Sequence, residues 1–258
     1  MTDHVLFQMW GPFRQSLIKG HEFYVEQATK RLLTQFDNIE AEAQRAAEEW
    51  LKAQSPKFDP NRHDPGDFYE AANDEGGEFY QLLSDLQGHT RLSVVAGMFH
   101  EWDKQLRDWL VREMRNWHKG DIAMSAVWSA NFGDLMELLE SLGWQVRTKG
   151  YFQVLDACRL VVNVYKHGDG KAFRDLRDQY PRYLNDPLGS VSNASSSIEY
   201  RDYTNLHVLD ENIREFSSGI TEFWRNVPEN VFVSGIAGFP AWFENSLRKD
   251  QAASKGTS

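Results

Sequence analysis

The sequence predicts an all-α protein, a single helical-bundle domain. Three observations carry this. Apolar residues recur at threes, fours and sevens along most of the chain. Alternating runs of the β type are scarce, and glycine and proline gather in the segments between periodic stretches. The 258 residues are 41% apolar and 26% charged, a composition that fits a globular chain with a sizeable core.

The first helical stretch runs over 13–52. Leu17, Tyr24, Ala28, Leu32 and Phe36 mark its apolar stripe, and Gly20 and Asp37–Asn38 are its candidate breaks. Residues 55–77 read as a connector. Between 59 and 78 there are seven acids against Arg62 alone, which reads as a solvated acidic loop, and their spacing does not fit an EF-hand. Motif-bearing helices are expected over 78–226. The first, 78–118, carries Leu92, Val95, Phe99, Trp102, Leu106 and Trp109 on one stripe. Its length predicts a kink near Gly88 or Gly97, and Lys119-Gly120 reads as its end.

A short helix follows, with Leu135, Leu138, Leu139 and Leu142 on one face and Gly143 as its stop. The next runs over 151–167 and is closed by Gly168-Asp169-Gly170, after which KAFRDLRDQY begins another. Residues 181–206 read as a long irregular loop. A last helix covers 209–224, VFVSGIAGF is a short strand or an apolar tail, and 249–258 is a disordered tail after a domain spanning 1–248.

The net charge of −10 argues against general attraction to polyanions. No stretch approaches the roughly 18 apolar residues of a membrane span. The amino terminus lacks the basic-then-apolar plan of a signal peptide, so a cytoplasmic protein without membrane contact is expected. The single cysteine, Cys158, rules out an intrachain disulfide and an all-cysteine metal site. HExxH, P-loop, dinucleotide and nucleophile-elbow patterns are missing, and no cofactor or metal is expected.

One helix carries chemistry. In YFQVLDACRLVVNVYKH, Val154, Leu155, Cys158, Val161, Val162 and Tyr165 form the apolar set. Arg159, Asn163 and His167 fall within about 80° of each other on the opposite side. The bland reading is a solvated face with a histidine at the cationic-favouring end of the helix dipole. The composition favours a phosphate-handling stripe: histidine moves protons near neutral pH, arginine grips phosphate with two prongs, and asparagine orients either. Residues 147–182 hold eight Lys and Arg against four Asp, a local basic patch that includes Lys166, Lys171 and Arg174 as candidate substrate contacts.

The stretch from Arg159 through Asn163 to His167-Gly168 resembles the signature of the HEPN superfamily. Asn163 and His167 keep the family's spacing, and seven residues separate Arg159 from His167, one more than usual. The resemblance implies a metal-independent endoribonuclease acting as a homodimer. It makes Arg159, Asn163 and His167 catalytic, RNA the substrate, and an antitoxin or defence-system protein a partner. It implies a bacterial toxin or phage-defence role. The alternative is an inactive HEPN-like module that binds RNA, a nucleotide or a partner protein. The segment from Phe99 to Arg107 is similar to a helix found before the motif in some HEPN-like proteins. It makes His100, Asp103 and Arg107 second-tier site residues. The bland expectation there is a buried His100 paired with Asp103. A rival Arg-x5-His match, Arg112 to His118, sets its ends about 240° of helical rotation apart, so they do not converge, and His118 reads as a cap on its helix C-terminus.

Overall fold

The computed structural model describes residues 3–186, 201–236 and 238–255. Among these residues it is an all-α fold with one two-stranded sheet. Strand β1 (Val5–Gln8) leads into helix α1 (Gly11–Leu32), then α2 (Ile39–Gln54), α3 (Pro65–Met114), α4 (Asp121–Ser129) and α5 (Phe132–Ser141). After these come α6 (Gly150–His167), α7 (Lys171–Gln179), α8 (Asp210–Asn226), strand β2 (Asn230–Phe232) and α9 (Ala241–Lys255). Among the described residues no helix is long and apolar enough to cross a membrane.

The organising element is α3. Fifty residues make it about 75 Å long. Its carboxyl-terminal half buries the whole expected stripe from Leu92 to Trp109, and α1, α6 and α8 pack around it. Helical structure runs unbroken through Gly88 and Gly97. Gly97 serves packing instead, because the Tyr24 hydroxyl of α1 occupies the space a side chain would need. Helix α5 buries Leu135, Leu138 and Leu139 as expected, its C-cap Leu142 is buried with them, and Gly143, at φ +80°, ends the turn. Helices α6 and α8 cross closely at Gly219, where a Cβ would lie 2.7 Å from Val154 Cγ1.

Several expectations fail. The first stretch does break at Asp37–Asn38, but Gly20 lies inside a continuous α1. The acidic loop ends at Asp64, not at 77. Asp64 accepts from the Gly66 amide at 2.8 Å and Pro65 opens α3, the combination that starts helices. Most of the counted acids therefore ride on a helix. Helix α3 ends at Met114, before Lys119-Gly120, and α4 adds a helix that the apolar spacing does not mark. Within the expected loop 181–206, residues 187–200 lie outside the described residues. The rest is tied by a bridge between Leu184 and Leu206.

The tail also orders. Residues 249–255 belong to α9, where Asp250 is buried, and 256–258 lie outside the described residues. The short-strand reading of VFVSGIAGF holds for 230–232. These residues pair antiparallel with β1, Phe7 opposite Val231. Two indoles pin β1 to the bundle: Trp109 donates to the Gln8 carbonyl at 3.0 Å and Trp117 to that of Leu6 at 2.9 Å.

Helix α2 packs antiparallel on the first half of α3, with Ala43 and Ala47 against Gly76 and Trp50 against Phe68. Its substantial contacts are with α3 and the turn that follows it. Of residues 65–91 only Ala72 and Gly76 are buried. The pair forms an arm beyond the main bundle.

Candidate phosphodiester site at the end of helix α6

The buried side of α6 holds Leu155, Cys158, Val161 and Val162 in the core. Tyr165, expected with them, is exposed, and its hydroxyl meets Ser93 Oγ at 2.9 Å. That orientation leaves Arg159, Asn163 and His167 on the free side. Gly168 leaves the helix at φ +68° and Gly170 turns at φ +150°, so α7 starts beside the end of α6. The three side chains line one open pocket of about 400 Å³, together with Lys171, Asp169 and Asp175. Clefts of about 530 Å³ between α1 and α8 and about 610 Å³ between α3 and residues 203–207 are larger. The smaller pocket is the candidate because of its side chains.

Arg159 is oriented rather than loose. Its Nε and Nη2 both donate to Asp156 Oδ1, at 2.9 and 2.6 Å, and its guanidinium lies 5.1 Å from the centre of the Phe132 ring. Nη1 takes no part in the bonds to Asp156 and is the edge left for a ligand. The Tyr180 hydroxyl donates to the other Asp156 oxygen at 3.3 Å. Burial, then the neighbouring Asp156 charge, pushes that phenol's pKa up. Asn163 is half-buried one turn on, and His167 is exposed at the rim.

The basic patch is weaker than its count. Asp156 holds Arg159, Asp175 holds Lys171 at 2.6 Å, Asp178 meets Arg177 at 3.3 Å and Glu215 holds Arg182 at 2.5 Å. Asp169 takes the amide of Gly170 at 2.7 Å, which reduces the pull of the α7 N-terminus on an anion. Lys166 and Arg174 are exposed but do not line the pocket. The arrangement suits a single phosphate held between Arg159 Nη1, Asn163 and His167, not a broad polyanion track.

The second-tier residues lie elsewhere. His100 is exposed and among the described residues pairs with no acid, so the buried His100–Asp103 pair does not form. Asp103 instead grips Arg107 through two bonds of 2.8 and 3.0 Å. Arg107 is buried, and its Nη1 donates to the carbonyls of Val127, Trp128 and Ala130 at 2.7, 3.0 and 2.9 Å. It closes the C-terminus of α4, whose last carbonyls lack partners within the helix. The rival pair is apart too. Arg112 sits 4.0 Å over the Phe13 ring. His118 does not cap its helix but bonds Asp250 of α9 at 2.8 Å.

Sequence reasoning missed Asp156, Phe132 and Asp175 as the groups that orient and partly neutralise the site. Asp156 was findable, since it stands three residues before Arg159 on the same helix. Among the described residues, no three His, Cys, Asp or Glu side chains are placed to hold a metal ion.

No family model matches the chain, and neither a curated protein nor a solved structure matches it.

Proposed function

We propose that the chain is a metal-independent endoribonuclease whose site is the pocket at the end of α6. The observation that carries this reading is the convergence of Arg159, Asn163 and His167 on one pocket. An imidazole there can take the proton of an RNA 2′-hydroxyl as that oxygen attacks phosphorus, or protonate the departing 5′-oxygen. Arg159, with Lys171, faces the charge that builds on the phosphorane oxygens, commonly a large part of catalysis. Asn163 orients the phosphate. One histidine serves only one of the two proton transfers. A symmetric dimer that apposes two α6 ends would supply the second.

One observation favours a second reading, a module that binds RNA, a nucleotide or a partner protein without cutting it. Asp156 already occupies one edge of Arg159, which leaves less of the guanidinium for a transition state. The two readings separate in one experiment: purified protein with total cellular RNA in excess EDTA, beside the His167→Ala variant. Cleavage by the wild type that disappears in the variant is expected. Retention of RNA without cleavage, equal in both proteins, would favour the binding module. Cleavage that survives the substitution would move the site away from α6.

A further inference from the structure

The arm is charged quite differently from the rest of the molecule. Residues 39–86 hold 12 Asp and Glu against 4 Lys and Arg, so eight of the chain's ten net negative charges lie on it. Among the described residues the arm's one ion pair is Arg62–Asp59 at 3.7 Å, so most of this charge is not neutralised in place. Exposed apolar side chains stand along the same arm: Tyr69 is 63% exposed, Leu82 60% and Leu86 53%. A two-helix hairpin has too little interior to hide them.

At the tip, the end of α2 and the start of α3 enclose a groove of about 420 Å³. Leu51, Phe58, Phe68 and Tyr69 line it. Phe58 packs edge-on against Phe68 at 5.3 Å and Trp50 backs Phe68 at 6.2 Å, so its floor is aromatic and preformed. Lys52 is the single cation in its lining, while Glu48, Asp67 and Glu70 are exposed on the neighbouring turns.

We infer that the arm tip is a docking site for a basic amphipathic segment of a partner protein, with an apolar side chain of that segment anchored in the Phe58–Phe68–Tyr69 groove. Charge complementarity selects the occupant. RNA is repelled by an arm of this sign, and a second acidic arm equally so. A lysine- or arginine-rich helix with an apolar face meets both features at once: its cations face the acids of the arm, and its apolar residue replaces water in the groove. This inference is independent of the chemistry assigned to α6.

The test is fluorescence anisotropy with the full chain and a labelled amphipathic helix of Lys and Leu. A control peptide keeps every Lys and replaces Leu with Ser. The Lys/Leu peptide should bind, more weakly as salt rises, and the serine peptide should bind much less. Tyr69→Ser should weaken binding about tenfold, as loss of one central aromatic contact does. The pair Asp67→Lys and Glu70→Lys should weaken it at low salt and flatten the salt dependence. All three residues are exposed, so helicity by circular dichroism should stay unchanged. Equal binding of both peptides would reduce the arm to simple charge attraction and overturn the inference. So would failure of the Lys/Leu peptide to bind, or indifference to Tyr69→Ser. Concentration-dependent self-association abolished by Tyr69→Ser would overturn it too, by assigning the groove to a second copy of this chain.

Discussion

Arg107→Met removes five hydrogen bonds from the middle of the bundle. Two go to the Asp103 carboxylate and three to carbonyls that end α4. Breaking a buried ion pair by deleting one partner costs about 3–5 kcal/mol. Asp103 keeps a quarter of its side-chain surface in water and can rehydrate, which puts the loss toward the lower end, about 3 kcal/mol. For a chain of this size that corresponds to a fall in melting temperature of roughly 10 °C. Methionine preserves the apolar stem of the arginine, so the loss reports the guanidinium and not its packing.

Urea denaturation followed by circular dichroism measures the loss. RNA cleavage or binding per folded molecule, measured well below the transition, should stay at the wild-type level. His100→Ala, at an exposed position, should change stability by no more than about 0.5 kcal/mol and leave activity alone. Unfolding of Arg107→Met at the wild-type urea concentration together with lost function would assign Arg107 to the site and not to the α4 terminus.

Asp250 accepts from His118 Nε2 at 2.8 Å and from the Ile122 and Ala123 amides at 3.0 and 2.9 Å, so α9 caps the N-terminus of α4. Asp250→Ala should cost about 2 kcal/mol, read from a urea midpoint. Burial pushes the Asp250 carboxyl up, but His118 and the two amides outweigh it and hold it below the ordinary 3.8. A depressed carboxyl adds stability above its unfolded value and loses it as pH falls through the folded one. Melts from pH 6 to pH 3 should therefore show a shallower acid limb in Asp250→Ala, and matching limbs would count against the cap. Gly219→Ala should destabilise by about 1–2 kcal/mol despite alanine's better helix propensity, because the new methyl meets Val154 Cγ1 at 2.7 Å. Adding Val154→Ala should recover part of the loss, and purely additive midpoints would show that the two positions do not touch.

The sequence by itself determined the apolar stripes of the later helices, though not that of the first, where Tyr24 and Leu32 stay exposed. The Leu92–Trp109 stripe and the leucines of α5 are buried as their spacing requires, since a helix with one apolar face has a single way to hide it. The Arg159–Asn163–His167 stripe was legible for the same reason: helical pitch alone places the three on one side. The start of α3 is legible too, in Asp64-Pro65, a cap that marks a helix start whatever the acid count over 59–78. A helix packed on a neighbour along one narrow face can carry such charge on its outer face, and the first half of α3 does.

Tertiary structure alone decided the roles of groups whose partners are far along the chain. Arg107 shares a polar line with His100 and Asp103 in the sequence, and only the fold brings it the three bare carbonyls of α4, some 20 residues on. His118 and Asp250 are 132 residues apart, and no local pattern announces their bond or the order it gives the last helix. Glu215, 33 residues beyond Arg182, ties up a cation that a charge count leaves free, whereas Asp156 and Asp175 pair with Arg159 and Lys171 at spacings of three and four on their own helices. Sequence spacing fixes which side chains share a face of one helix. Which charges meet partners on other elements depends on what packs there, and that follows only from burying all the apolar faces together.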